Sequence, residues 1–71
     1  IGYNRLKRGG FMDKVLVVDD DKEIRNILGI YLRNNNCEPI FARNGQEALE
    51  KLDNSIDLVI LDISIKFMIF L

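Results

Sequence analysis

Two short apolar runs, residues 15–18 and 58–61, each stop at aspartate: Asp19, Asp20 and Asp21 follow the first, and Asp62 closes the second. Both runs are leucine or β-branched throughout, with no polar alternation, which predicts strands buried on both faces under helices. Carboxylates at the ends of such strands are costly to hold together unless something binds there. The chain therefore has to build a covered parallel sheet with an acidic rim.

Between the runs the periodicity changes from two to 3.6. Asp21 is placed to cap a helix with Glu23 near its positive end, and Ile24, Ile27, Leu28, Tyr31 and Leu32 recur at helical spacing along one predicted apolar face. Asn34, Asn35 and Asn36 tolerate left-handed backbone and should end that helix. A second strand follows at about residues 38–42, with Pro39 near its start, where the missing N–H suits an edge strand. Asn44, Gly45, Gln46 and Glu47 resemble a capping box with Asn in the first position, and Ala48, Leu49 and Leu52 extend a helical stripe to about residue 54. Asp57 then opens the third strand. The order is βαβαβ, an α/β class in which right-handed crossovers make the strands parallel and place helices on both faces.

At 71 residues the chain forms at most one small domain, and a fold of this size buries only about 60% of its unfolded surface. A net charge of −1 gives no electrostatic case for nucleic acid or anionic lipid. There is no His, so proton or phosphoryl chemistry must use carboxylates or a partner's groups. The single Cys37 excludes an internal disulfide and a thiolate cluster, and its position beside a strand reads as packing. Residues 1–11 show no sustained period and are expected to be a leader outside the fold, with Met12 the more natural start. Lys7 to Phe11 can be encoded by a purine-rich run of the ribosome-binding kind directly ahead of a Met codon. A signal peptide fits poorly, because the apolar stretch after the basic residues is short and runs into three aspartates.

In an open parallel sheet, ligands bind beyond the carboxyl ends of the strands where strand order reverses. Strands one and three are the natural neighbours at that point, which would bring Asp19 and Asp20 to Asp62. Carboxylates without His or Cys favour a hard divalent ion, Mg²⁺ rather than Zn²⁺. Taken singly, Asp20 and Asp21 could equally serve as helix caps and Asp62 as the start of a loop.

The stretches VLVVDDDKEIR, ARNGQEALEKL and DLVILDI, in this order and spacing, resemble the receiver domain of bacterial two-component response regulators over about residues 12–63. The resemblance implies a truncated flavodoxin-like, doubly wound parallel sheet of three strands and two helices. It implies Asp62 as phosphoacceptor, Asp20 as a direct Mg²⁺ ligand, Asp19 as an acid holding the ion through water, and the Ser64 backbone carbonyl as a further ligand. Asp21 stays a helix cap. The implied role is a phosphoacceptor signalling domain rather than an enzyme, in the cytoplasm, with a sensor histidine kinase as partner. No nucleic-acid or membrane contact by this chain is implied.

After Asp62 the family usually continues with an apolar pair and a Pro, whereas this chain reads ISIKFMIFL. Residues 12–64 are thus expected to be a partial receiver domain and residues 65–71 an apolar tail foreign to it, with Lys66 too close to Asp62 to be the family's switch Lys. On this reading the third strand has an open edge, and self-association through it is expected. The alternative function is a truncated, signalling-incompetent remnant or interaction fragment. Two other aspartate chemistries fail on spacing. Asp19 to Glu23 lacks the D-x-D-x-T arrangement of haloacid-dehalogenase-type phosphatases, and an EF-hand loop opening at Asp19 would have Ile24 where Gly is needed and Ile30 where Glu is needed.

Overall fold

The computed structural model describes residues 13–62, which form β1 (Asp13–Val18), α1 (Lys22–Asn34), β2 (Cys37–Ala42), α2 (Gly45–Lys51) and β3 (Leu58–Leu61). The expected leader, the apolar tail and Ser64 lie outside the described residues. The three described strands make one parallel sheet in the order β2-β1-β3, so the described residues form the expected βαβαβ in a flavodoxin-like arrangement. Pro39 lies on β2, which borders one side of this sheet, while β1 is hydrogen-bonded along both edges.

Side-chain alternation on β1 divides the core into two layers. Val15 and Val17 pack with Leu32 and Cys37, flanked by Leu28, Phe41 and Ile60, beneath α1. Leu16 and Val18 pack with Ala42 and Ala48, flanked by Ile40 and Ile56, beneath α2. Helices therefore cover opposite faces, and the Val and Leu side chains of β1 are fully enclosed on both. Cys37 fills the α1-side layer as a packing residue.

Capping chemistry sets the helix limits. The Asp21 carboxylate accepts from Glu23 N (2.8 Å) and Ile24 N (3.4 Å), so Asp21 is the N-cap of α1. The helix closes through Asn35, whose N–H donates to Tyr31 and Leu32 carbonyls, and Asn36, whose φ of 63° takes the left-handed conformation expected of this Asn run. Asn44 caps α2 through Glu47 N at 2.8 Å, but the reciprocal bond is shifted by one residue: Glu47 accepts from Arg43 N at 2.7 Å, not from the cap's own N–H. That bond, with the neighbouring Arg43 and Lys51 charges, holds the Glu47 carboxyl below its ordinary value of 4.5.

Four sequence expectations need correction. β3 is not buried on both faces: Leu58, Val59 and Leu61 are exposed, while Ile60 packs against the α1-side layer. The buried side of α1 is formed by Leu28, Gly29 and Leu32, while Ile27 (62% exposed), Tyr31 (56%) and Ile24 (40%) face away from the sheet. The helix is rotated because Gly29 lets it approach β2 closely: a Cβ there would stand 2.7 Å from Phe41 Cζ. The apolar stripe is also wider than the layer beneath it. In α2 only Gly45 and Ala48 are buried, with Leu49 and Leu52 about half exposed, and the helix ends at Lys51, short of residue 54. Its extension is displaced by a local turn in which Asp53 accepts from Ser55 N at 2.8 Å and Ser55 Oγ at 2.5 Å. The Ser55 hydroxyl, then its N–H, lower the Asp53 carboxyl below its ordinary 3.8. The strands also start earlier than expected, at Asp13 and Cys37.

Three outcomes follow from this packing. Leu32→Ala should cost about 2–5 kcal/mol, comparable with the whole stability of a chain this small, and should abolish a cooperative urea transition. Gly29→Ala should not deliver the gain of about 1 kcal/mol usual for this change in a helix; the gain should return in a Phe41→Leu background, measured by urea midpoints. Because Glu47 is held below 4.5 in the folded chain, its contribution is present above that pH and disappears as pH falls through the lowered value. Glu47→Gln should therefore flatten part of the acid loss of helical circular dichroism, and an unchanged profile would contradict the shifted cap.

Candidate functional site

The ladder ends place the acidic residues. Val18 is registered with Ala42 on one side and Leu61 on the other, so Asp19 and Asp62 are the first residues beyond two adjacent strand ends. The backbone continues the pairing one step: Asp19 N donates to Ala42 O at 3.1 Å, and Asp62 N donates to Val18 O at 3.0 Å. At the opposite end of the sheet, Asp57 clamps β3 to β1, accepting from Lys14 N at 2.8 Å and donating its own N–H to Lys14 O at 2.8 Å. The start of β3 is thus fixed relative to β1, which fixes where Asp62 emerges.

Three carboxylates converge at this rim. Asp19, Asp20 and Asp62 each offer one oxygen, and these oxygens all lie within 4.8 Å of one another. Asp19 is buried, Asp62 half-buried and Asp20 exposed. Like charges this close repel by a few kcal/mol at an effective dielectric of about 20, so a cation between them is favoured. The fit to Mg²⁺ is direct. The donor set is all oxygen, and ligands at about 2.1 Å on opposite sides of such an ion are about 4.2 Å apart, close to the observed grouping.

The remaining expected residues fall elsewhere. Asp21 is turned to its cap, and Ser64 lies beyond the described residues. One contact was missed by sequence reasoning: Arg25 Nη1 donates to the Asp19 carbonyl at 2.7 Å. Its signal was an Arg near the positive end of α1, where the helix dipole disfavours a cation. Among the described residues no helix is long and apolar enough to cross a membrane.

Comparison with known proteins agrees with this geometry. The family model for the response regulator receiver domain matches residues 15–68. The chain is 44% identical over 52 residues to the transcriptional regulatory protein CpxR of Escherichia coli K12, covering 73% of this chain and 22% of that protein. It is 48% identical over 52 residues to the regulatory protein VanR of Enterococcus faecium (72% and 22% covered), and 45% identical over 51 residues to the transcriptional regulatory protein ResD of Bacillus subtilis (70% and 21% covered). The chain thus spans about a fifth of the length of these relatives. The match runs past Asp62 and Ser64, and nothing in it favours the remnant reading. Receiver domains are signalling domains of phosphorelays, and the chain belongs to the response regulator receiver domain family.

Proposed function

We propose that this chain accepts a phosphoryl group on Asp62 from a sensor histidine kinase, at a Mg²⁺ site held by Asp19, Asp20 and Asp62 with the Ser64 carbonyl. The observation that carries the reading is the convergence of three carboxylates at the adjacent carboxyl ends of β1 and β3. A carboxylate oxygen of Asp62 attacks the phosphorus of the kinase's phosphohistidine; the new P–O bond forms as the P–N bond breaks, and the imidazole leaves with a proton. No His is needed in the acceptor. Bound at the rim, Mg²⁺ would neutralise the carboxylates and offset charge on the transferring oxygens.

The roles of the chain's own residues differ with their settings. Asp19 is buried, and one of its oxygens accepts from Asp21 N at 2.9 Å, which fixes its carboxylate as part of the frame. Asp20 is exposed and can meet an arriving ion directly. Asp62 sits between them in burial, reachable by a donor yet set by its backbone bond to Val18. This division matches a water-mediated role for Asp19, direct ligation by Asp20 and nucleophilic attack by Asp62. The implied location, with a kinase partner of this kind, is the cytoplasm.

A second partner is another copy of the chain. Leu58, Val59 and Leu61 of β3 are 40%, 43% and 48% exposed, an apolar strand surface suited to association. Sedimentation velocity of the 71-residue chain at micromolar concentration should show species larger than the monomer; a single monomer boundary would remove this partner.

Incubation with Mg²⁺ and acetyl phosphate should add one phosphoryl group, detected by intact mass and localised to Asp62. Asp62→Asn should take up none, and Asp20→Asn should slow uptake by at least about tenfold, as ligand losses generally do. Failure of the folded wild-type chain to gain mass would reject acceptor activity.

A further inference from the structure

The Asp19 carbonyl is an unusual point in the rim. It lies one residue beyond the last registered pair of the β1 ladder, in a residue only 9% exposed, so its oxygen needs a partner from outside the sheet. Arg25 supplies it from the second turn of α1 through a 2.7 Å bond from Nη1. The Arg25 side chain is half-buried, and its charge stands near the helix end that disfavours cations. Helix stability alone does not account for its placement.

The bond has a geometric consequence. The peptide joining Asp19 to Asp20 is planar, so fixing the direction of its carbonyl fixes the orientation of the unit that links the two Cα atoms. The Asp19 N–H is held by Ala42 O and its carboxylate by Asp21 N, so the Arg25 bond is the third anchor on this residue. With all three in place, the two Cα atoms from which the Asp19 and Asp20 side chains depart have set positions at the β1 end. We propose that Arg25 is a positioning residue for the cation site: it anchors the Asp19–Asp20 peptide so that both carboxylates face Asp62 before an ion arrives. This rests on the reading of the rim as a cation site.

Two effects of Arg25 oppose each other, which makes the inference testable. As a nearby positive charge it repels a cation, so deleting it for that reason alone would tighten binding. As an anchor it preorganises the ligands, and partners of this outer kind affect metal affinity by roughly 10- to 100-fold. The anchor dominates on the proposal. Arg25 also adds both charge and a directional donor, and lysine can replace only the first well.

The experiment is Mn²⁺ binding to the full chain, followed by the loss of the free-ion electron paramagnetic resonance signal, for wild type, Arg25→Gln and Arg25→Lys. Circular dichroism at the same concentration shows whether each variant is folded. Wild type should bind one ion; Arg25→Gln should weaken binding about tenfold or more, and Arg25→Lys should also weaken it despite its retained charge. Binding by folded Arg25→Gln that equals or exceeds wild type overturns the proposal and leaves the cation-site reading standing. If Arg25→Gln does not fold, Arg25→Lys decides alone: wild-type affinity in that variant overturns the anchor role. Absence of Mn²⁺ binding by folded wild type overturns the cation-site reading and the proposal with it.

Discussion

Everything in this chain depends on β1 being paired on both edges and covered on both faces. Its apolar residues alternate between two core layers, one under α1 and one under α2, and its parallel ladders hold β2 and β3 in register. Burial of this kind contributes about 25 cal/mol per Å² of apolar surface, and among the described residues both core layers are built on this strand. The same pairing makes neighbours of residues far apart in sequence. Val18 meets Leu61 at the end of the ladder, so Asp19 and Asp62 emerge side by side.

The rim is therefore a by-product of register with a chemical result. Parallel strands send their carboxyl ends the same way, and wherever both end in aspartate the charges must share one edge. Local hydrogen bonds sort them: Asp21 spends its carboxylate on the α1 N-terminus, Asp19 is tied by its own backbone and side chain, and Asp20 and Asp62 keep greater exposure. The fold thereby separates a capping carboxylate and a tied, buried one from two that are more exposed at the same rim. Membership in the receiver family gives that separation its context in phosphorelay signalling.

Much of this was legible in the sequence. The uninterrupted apolar run of β1 announced a strand covered on both faces, whereas the similar run of β3 leaves Leu58, Val59 and Leu61 exposed; Asp21 and Asn44 announced the helix starts, and the Asn run announced the α1 end that Asn36 makes with its left-handed backbone. The rotation of α1 was not legible, because Ile24, Ile27 and Tyr31 form a good helical stripe by spacing alone. What decides the buried side is the close approach at Gly29 and Phe41, a contact between distant residues that no local period reports. The early end of α2 was missed for a similar reason: Asp53 prefers its own bonds to Ser55 over continuing the helix. In the site, the three carboxylates were found from strand ends, while Arg25 was passed over because its partner is a backbone carbonyl, invisible to any side-chain motif.

The central claim is that residues from two separate strand ends form one cation site. Paramagnetic broadening by substoichiometric Mn²⁺ in amide ¹⁵N–¹H spectra tests it most directly, because the effect falls steeply with distance from the ion. The account predicts selective loss of the Asp19, Asp20 and Asp62 signals, with Asp53 and Asp57 retained. Broadening centred on Asp53 or Asp57, or spread evenly over the acidic residues, would contradict it.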